Sequence, residues 1–129
     1  MSATTPVADI AVRSVVFDCD DPAALARFYH ALLGGALHTE DPAWCEVRLD
    51  SVPVKLAFQL VPHYQRPQWP DGVPQQLHLD LTVGDLEAAS ARAVALGAQR
   101  VGEPVDEGAS VFLVHFDPAG HPFCFCVDR

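Results

Sequence analysis

The chain has 129 residues, half of them hydrophobic and seven of them Phe, which suits one domain with a true core and excludes a disordered chain. Lys and Arg number 8 against 17 Asp and Glu, a formal charge of −9 with no basic run. Nucleic acid and anionic lipid are therefore not expected as partners, because both are bound by cations that displace counterions.

No stretch approaches the roughly 20 apolar residues that cross a bilayer, so no membrane partner is expected. MSATTPVADIAVR lacks a basic start followed by an apolar run, so no signal peptide is expected either. Cys19, Cys45, Cys124 and Cys126 accordingly read as thiols of a cytoplasmic protein, not as a disulfide framework.

In chain order, VRSVVFDCD (12–20) reads as a strand. In the DDPAALARFYHALLGG that follows, Asp20 or Asp21 caps a helix, Pro22 suits its first turn and Gly34–Gly35 ends it. Leu25, Phe28, Tyr29, Leu32 and Leu33 recur at helical spacing and form its buried stripe. Extended pieces are expected at 36–40, 44–49 and 54–61, broken at Asp41–Pro42 and at Ser51–Pro53. The stretch 62–74, PHYQRPQWPDGVP, has four prolines and reads as a connector, since proline lacks the ladder donor. Its Tyr64 and Trp69 either fold over a cavity mouth or act as a surface tack.

The pattern then repeats. LHLDLTV (77–83) alternates as a strand, a helix runs from about Asp85 to Leu96 and closes at Gly97, and strands follow at 98–101, 110–116 and 122–127. Each half is β-α-β-β-β, and an offset of 64 residues aligns Asp21 with Asp85. The expected organisation is a single domain of two modules, about 12–61 and 76–127, joined by a connector at 62–75. A helix covers one face of each sheet, leaving the opposite faces to enclose a cleft. Period-two alternation puts His78, Asp80 and Thr82 on one row, Cys124 and Cys126 on another, and both rows are expected in the cleft.

These features resemble the vicinal oxygen chelate superfamily (glyoxalase/bleomycin-resistance/dioxygenase proteins), in particular its small glyoxalase-like single-domain members. The resemblance rests on Asp21–Gly34, on LHLDLTVGDLEAA (77–89) and on DPAGHPFCF (117–125). It implies an α+β fold of paired βαβββ modules forming a curled mixed sheet with a cleft, in a homodimer. Metal-binding members place ligands on the first and last strands of each module. Carried onto this chain, those positions are Ser14, Gln59, His78 and Cys124, where a carboxylate would be expected in place of Cys124. His78 is the strong member, and Cys124 would favour zinc. Glu46, Asp80 and His121 are further donors that could enter such a site.

The resulting expectation is a domain that binds a small organic molecule in its cleft without a well-formed metal quartet and without a cofactor. The alternative is an atypical metal-dependent lyase, isomerase or related enzyme using a divalent metal such as zinc on His78 and Cys124. His78 is the candidate catalytic residue, because an imidazole exchanges protons near neutral pH. Trp44, Glu46, Arg48, Gln59, Asp80 and Cys124 are the candidate ligand contacts. Each has a plainer reading: Asp80 and Gln59 tie down their surroundings, the cysteines are inert small hydrophobes, and Trp44, Glu46 and Arg48 form the wet side of an edge strand. His115 and His121 are expected to be exposed or to cap loop carbonyls. No phosphate-binding glycine loop or nucleophile elbow is present in the sequence.

Overall fold

A computed structural model describes residues 12–68, 71–75 and 77–129. Trp69, considered above with Tyr64 as a lid, lies outside the described residues.

Strand β1 (Ser14–Cys19) feeds helix α1 (Pro22–Leu33). Asp21, not Asp20, is the cap: its side chain accepts the Ala24 N–H at 3.1 Å, and Pro22 follows where no helical donor is required. Leu25, Phe28 and Tyr29 are buried on the side facing the sheet, as their spacing requires. The chain then turns sharply through Gly34 and Gly35, at φ +80° and +86°. A Cβ on Gly35 would stand 2.0 Å from the Arg48 carbonyl oxygen, so glycine is required there for space as well as for backbone freedom. Strands β2 (Ala36–Asp41), β3 (Trp44–Arg48) and β4 (Lys55–Leu60) complete the module in the order β1-β4-β3-β2, with β1 and β4 parallel.

The second module repeats this plan with β5 (Leu79–Thr82), α2 (Leu86–Ala95), β6 (Gln99–Asp106), β7 (Ser110–Phe116) and β8 (Pro122–Asp128), in the order β5-β8-β7-β6. The fold is α+β, two paired βαβββ modules. The expected curled mixed sheet is divided into two mixed four-stranded sheets, with no ladder joining them among the described residues. Several strand limits differ from those expected. β5 starts at Leu79, and Leu77, expected as the first residue of that strand, is 43% exposed. β6 continues beyond Val101 to Asp106 across Gly102 and Pro104, with its register shifting between Val101 and Val105. An edge strand tolerates a proline and a bulge, because its outer donors pair with nothing.

One buried cluster draws on both modules. Tyr29 of α1 stacks on Phe58 at 5.6 Å, while Phe28 of the same helix meets Phe123 of β8 at 6.1 Å. A polar clasp reinforces this contact. The Tyr29 hydroxyl donates to Asp117 Oδ2 at 2.6 Å, and Asp117 Oδ1 accepts the N–H groups of Ala119 and His121 at 2.8 and 2.9 Å. Burial pushes the Asp117 carboxyl upward, and these three donors offset that in part.

His115 is a correction. It is fully buried, sharing a row of β7 with Leu113 that faces α2, so strand parity overrides the polarity that made it look exposed. Its ring stacks on Phe123 at 5.5 Å, and its Nε2 lies 2.8 Å from Ser90 Oγ. His121 is half-buried, and the carbonyl it reaches belongs to β1: its Nε2 is 2.7 Å from Asp18 O.

Candidate functional site

The face of the second module turned away from α2 carries a cavity of about 370 Å³. Alternation in β8 sends Phe123 and Phe125 into the core and Cys124 and Cys126 into this hollow. The parallel β5–β8 register sets Asp80 beside Cys124 and Thr82 beside Cys126. On the antiparallel side, β7 contributes Phe112 opposite Cys126 and Val114 opposite Cys124. His78, just before β5, also lines the cavity, its Nε2 3.4 Å from Asp80 Oδ1. Glu107 and Ser110 at the β6–β7 turn and Gln75 of the connector close it.

This arrangement brings together three of the sequence-derived candidates, His78, Asp80 and Cys124. The Cys124 thiol is pushed up to about 11, first by burial and then by the neighbouring Asp80 charge. Cys126 is raised for the same reasons. Both thiols are protonated at neutral pH, a poor state for a nucleophile.

The other candidates sit on the first module and line neither this cavity nor the smaller one described below. Trp44, Glu46 and Arg48 share the outward row of β3. There Trp44 Nε1 donates to Glu46 Oε2 at 2.9 Å and Lys55 Nζ donates to Glu46 Oε1 at 3.4 Å. The Trp44 hydrogen bond, aided by Lys55, holds the Glu46 carboxyl below its ordinary value. This acid is already satisfied within its own sheet. Gln59 Nε2 lies 3.5 Å from Asp18 Oδ1, and Ser14 stands opposite Lys55 in the ladder.

The internal repeat explains the separation. The offset that aligns the two helix caps carries Ser14 onto His78, Val16 onto Asp80 and Asp18 onto Thr82. Because Gln59 pairs with Asp18 and Cys126 with Thr82, Gln59 is level with Cys126, while Cys124 is level with Ala57. Ser14, Gln59, His78 and Cys124 thus supply one hydroxyl, one amide, one imidazole and one protonated thiol at unmatched levels of two sheets. Among the described residues, no three His, Cys, Asp or Glu side chains are placed to hold a metal ion. The donor set does not fit a divalent metal.

A second cavity, of about 190 Å³, lies between β1 and the connector. Val16 and Asp18 form one wall and Tyr64, Pro67 and Val73 another, with His121 alongside. The Tyr64 hydroxyl donates to the Ala119 carbonyl at 2.9 Å, and Arg66 Nη1 donates to the Pro118 carbonyl at 2.6 Å, fastening the connector to the β7–β8 turn. Gln75 lines both cavities. It had no signal in the sequence, since nothing local tells where a proline-flanked connector residue points. Ser110, Phe112 and Val114 were legible in principle, because alternation along β7 puts them on the face opposite Leu113.

Paired βαβββ modules packed through a common core, with polar rows on the faces opposite their helices, define the architecture of the vicinal oxygen chelate superfamily. Residues 14–126 match the model of the glyoxalase-like domain, and the chain belongs to that family. No curated protein matches the chain. Among solved structures, it is similar to a glyoxalase/bleomycin resistance protein/dioxygenase family enzyme from Burkholderia phytofirmans PsJN, with 19% identity, 90% of this chain and 97% of that one covered, and a TM-score of 0.71. A glyoxalase-related enzyme from Fulvimarina pelagi is 21% identical over 92% of this chain and 88% of that one, with a TM-score of 0.69. Hypothetical protein SA1046 from S. aureus is 16% identical over 94% and 99%, with a TM-score of 0.67. At these identities the likeness is one of fold. Among the described residues, no helix is long and apolar enough to cross a membrane.

Proposed function

We propose that this glyoxalase-like domain binds a small organic molecule in the hollow of its second module, without a divalent metal. The observation that carries the reading is the convergence of His78, Asp80 and Cys124 on one cavity of about 370 Å³ whose donors do not make a metal quartet. The cavity is within the size range of small-molecule sites and mixes an apolar floor with a few polar groups. Phe112, Val114 and Pro122 supply the floor, and Asp80, Glu107 and Ser110 supply the polar groups.

Ligand-stabilisation screening of untagged protein, paired with elemental analysis, tests the reading. A ligand that raises Tm in the absence of metal, with an effect lost in a Val114→Trp variant that fills the hollow, is the expected result. Stoichiometric metal that disappears in His78→Ala would overturn it in favour of a metal-dependent lyase or isomerase.

The His78–Asp80 pair supports a second reading, proton transfer without metal. A carboxylate 3.4 Å from Nε2 orients the imidazole, as an acid–base residue requires. In that case His78→Gln would abolish turnover of a bound substrate while leaving its affinity within a few-fold.

A further inference from the structure

Gln75 stands in a wall common to both cavities, and its side-chain Oε1 is buried with no hydrogen-bond partner among the described residues. A buried carbonyl is unfavourable in that state unless a donor arrives from elsewhere. We propose that the two cavities are the two ends of one ligand site, joined at Gln75, and that this site takes an amphipathic organic base. Its protonated amine occupies the larger hollow and its aromatic or aliphatic arm the smaller one. This inference rests on the small-molecule reading above and narrows it to a ligand class.

The charges of the two ends set the polarity of the ligand. Asp80 and Glu107 line the larger cavity and Asp18 the smaller, whereas among the described residues no Lys or Arg lines either one. A ligand carboxylate or phosphate would meet like charge there, and an ammonium would meet opposite charge in a partly desolvated hollow. The Gln75 carbonyl accepts but does not donate, so an N–H beside the cationic centre completes it.

The arm follows from the other end. Val16, Val73 and Leu77 line the smaller cavity and are 38%, 38% and 43% exposed, a concentration of uncovered apolar surface in one place. A flat hydrophobic group laid between them and Pro67 would remove that surface from water. Leu77 and His78 are consecutive, and they line the smaller and the larger cavity respectively. A molecule passing Gln75 therefore leaves one environment for the other within the span of one residue.

Three probes separate the parts: tryptamine (amine with arm), indole-3-propionate (arm with carboxylate) and ethylammonium (amine without arm). Calorimetric titration of the full chain should give saturable tryptamine binding, with both other probes at least about tenfold weaker, the equivalent of one charge-assisted hydrogen bond. Gln75→Leu should weaken tryptamine by about tenfold at a Tm no lower than that of the wild type, while Gln75→Glu, which keeps an acceptor, should bind it at least as well as the wild type. Indole-3-propionate binding as tightly as tryptamine, no saturable tryptamine binding, or an indifferent Gln75→Leu would each overturn the proposal. The wild-type comparison of probes decides the matter even where a variant fails to fold. If the broader screen finds a metal-free ligand while tryptamine fails, only this inference falls; if nothing binds, the small-molecule reading falls with it.

Discussion

Tyr29 and Asp117 lie 88 positions apart and share a buried hydrogen bond of 2.6 Å that fastens the first helix to the last turn. Removing the donor in Tyr29→Phe leaves Asp117 Oδ2 buried without its partner and should lower stability by about 1–3 kcal/mol, read by urea denaturation. His115 offers a pH test. Burial lowers its folded pKa, so the unfolded chain binds the proton more readily. Its contribution to stability is thus present above the unfolded value of about 6.5 and lost as pH falls through it, by up to ~1.4 kcal/mol per pH unit. The difference in unfolding free energy between wild type and the Ser90→Ala/His115→Leu double variant should therefore change between pH 7 and pH 5, and flat behaviour would contradict a buried neutral imidazole. The thiol of Cys124, at about 11, should alkylate slowly at pH 7.5 and about tenfold faster per pH unit up to pH 10, monitored by peptide mass.

At the scale of elements, the helices and their ends were the most legible. Asp21, Pro22 and the Gly34–Gly35 pair act locally: a side-chain oxygen finds a free N–H three residues on, a ring has no donor to lose, and a positive φ needs no Cβ. The Asp21→Ala exchange should cost about 1 kcal/mol. Gly35→Ala should cost more, at least ~2 kcal/mol by thermal or chemical denaturation, since left-handed backbone strain adds to a clash with the Arg48 carbonyl. That clash was not legible, because Arg48 arrives from another strand. Strand ends were less legible for a similar reason. β6 runs past Pro104 because only one of its edges pairs, and β5 begins at Leu79 although the apolar alternation continues back to Leu77. Alternation describes what a segment could pair with; the neighbouring strand decides where pairing stops.

For the molecule as a whole, the two modules close around one core, yet their sheets end in unequal outer faces. On the first, Glu46 is tied to Trp44 and Lys55, whereas the second carries the larger hollow. Repeat symmetry in the backbone is not repeated in the chemistry. A homodimer, implied by the family resemblance, would bring a second copy of each face. Light scattering should then give twice the chain mass, and a monomer would confine the proposed ligand to one chain. If Glu46 is structural, Glu46→Gln should lower stability above pH 5 by up to ~1 kcal/mol without altering ligand affinity. Its lowered pKa makes that contribution present above the unfolded carboxyl value and lost as pH falls through the folded one.

The chain by itself determined the two βαβββ units, the extent of their helices, the family and the alternation that sets Asp80 and Cys124 on the faces opposite the apolar rows of their strands. Each depends on periodicity or on contacts a few residues long. Only the tertiary structure decided that His115 is core, that Gln59 is level with Cys126, and that Gln75 has a buried carbonyl between two cavities. Those outcomes depend on strand register and on the path of a proline-rich connector, which are set by packing between segments far apart in sequence.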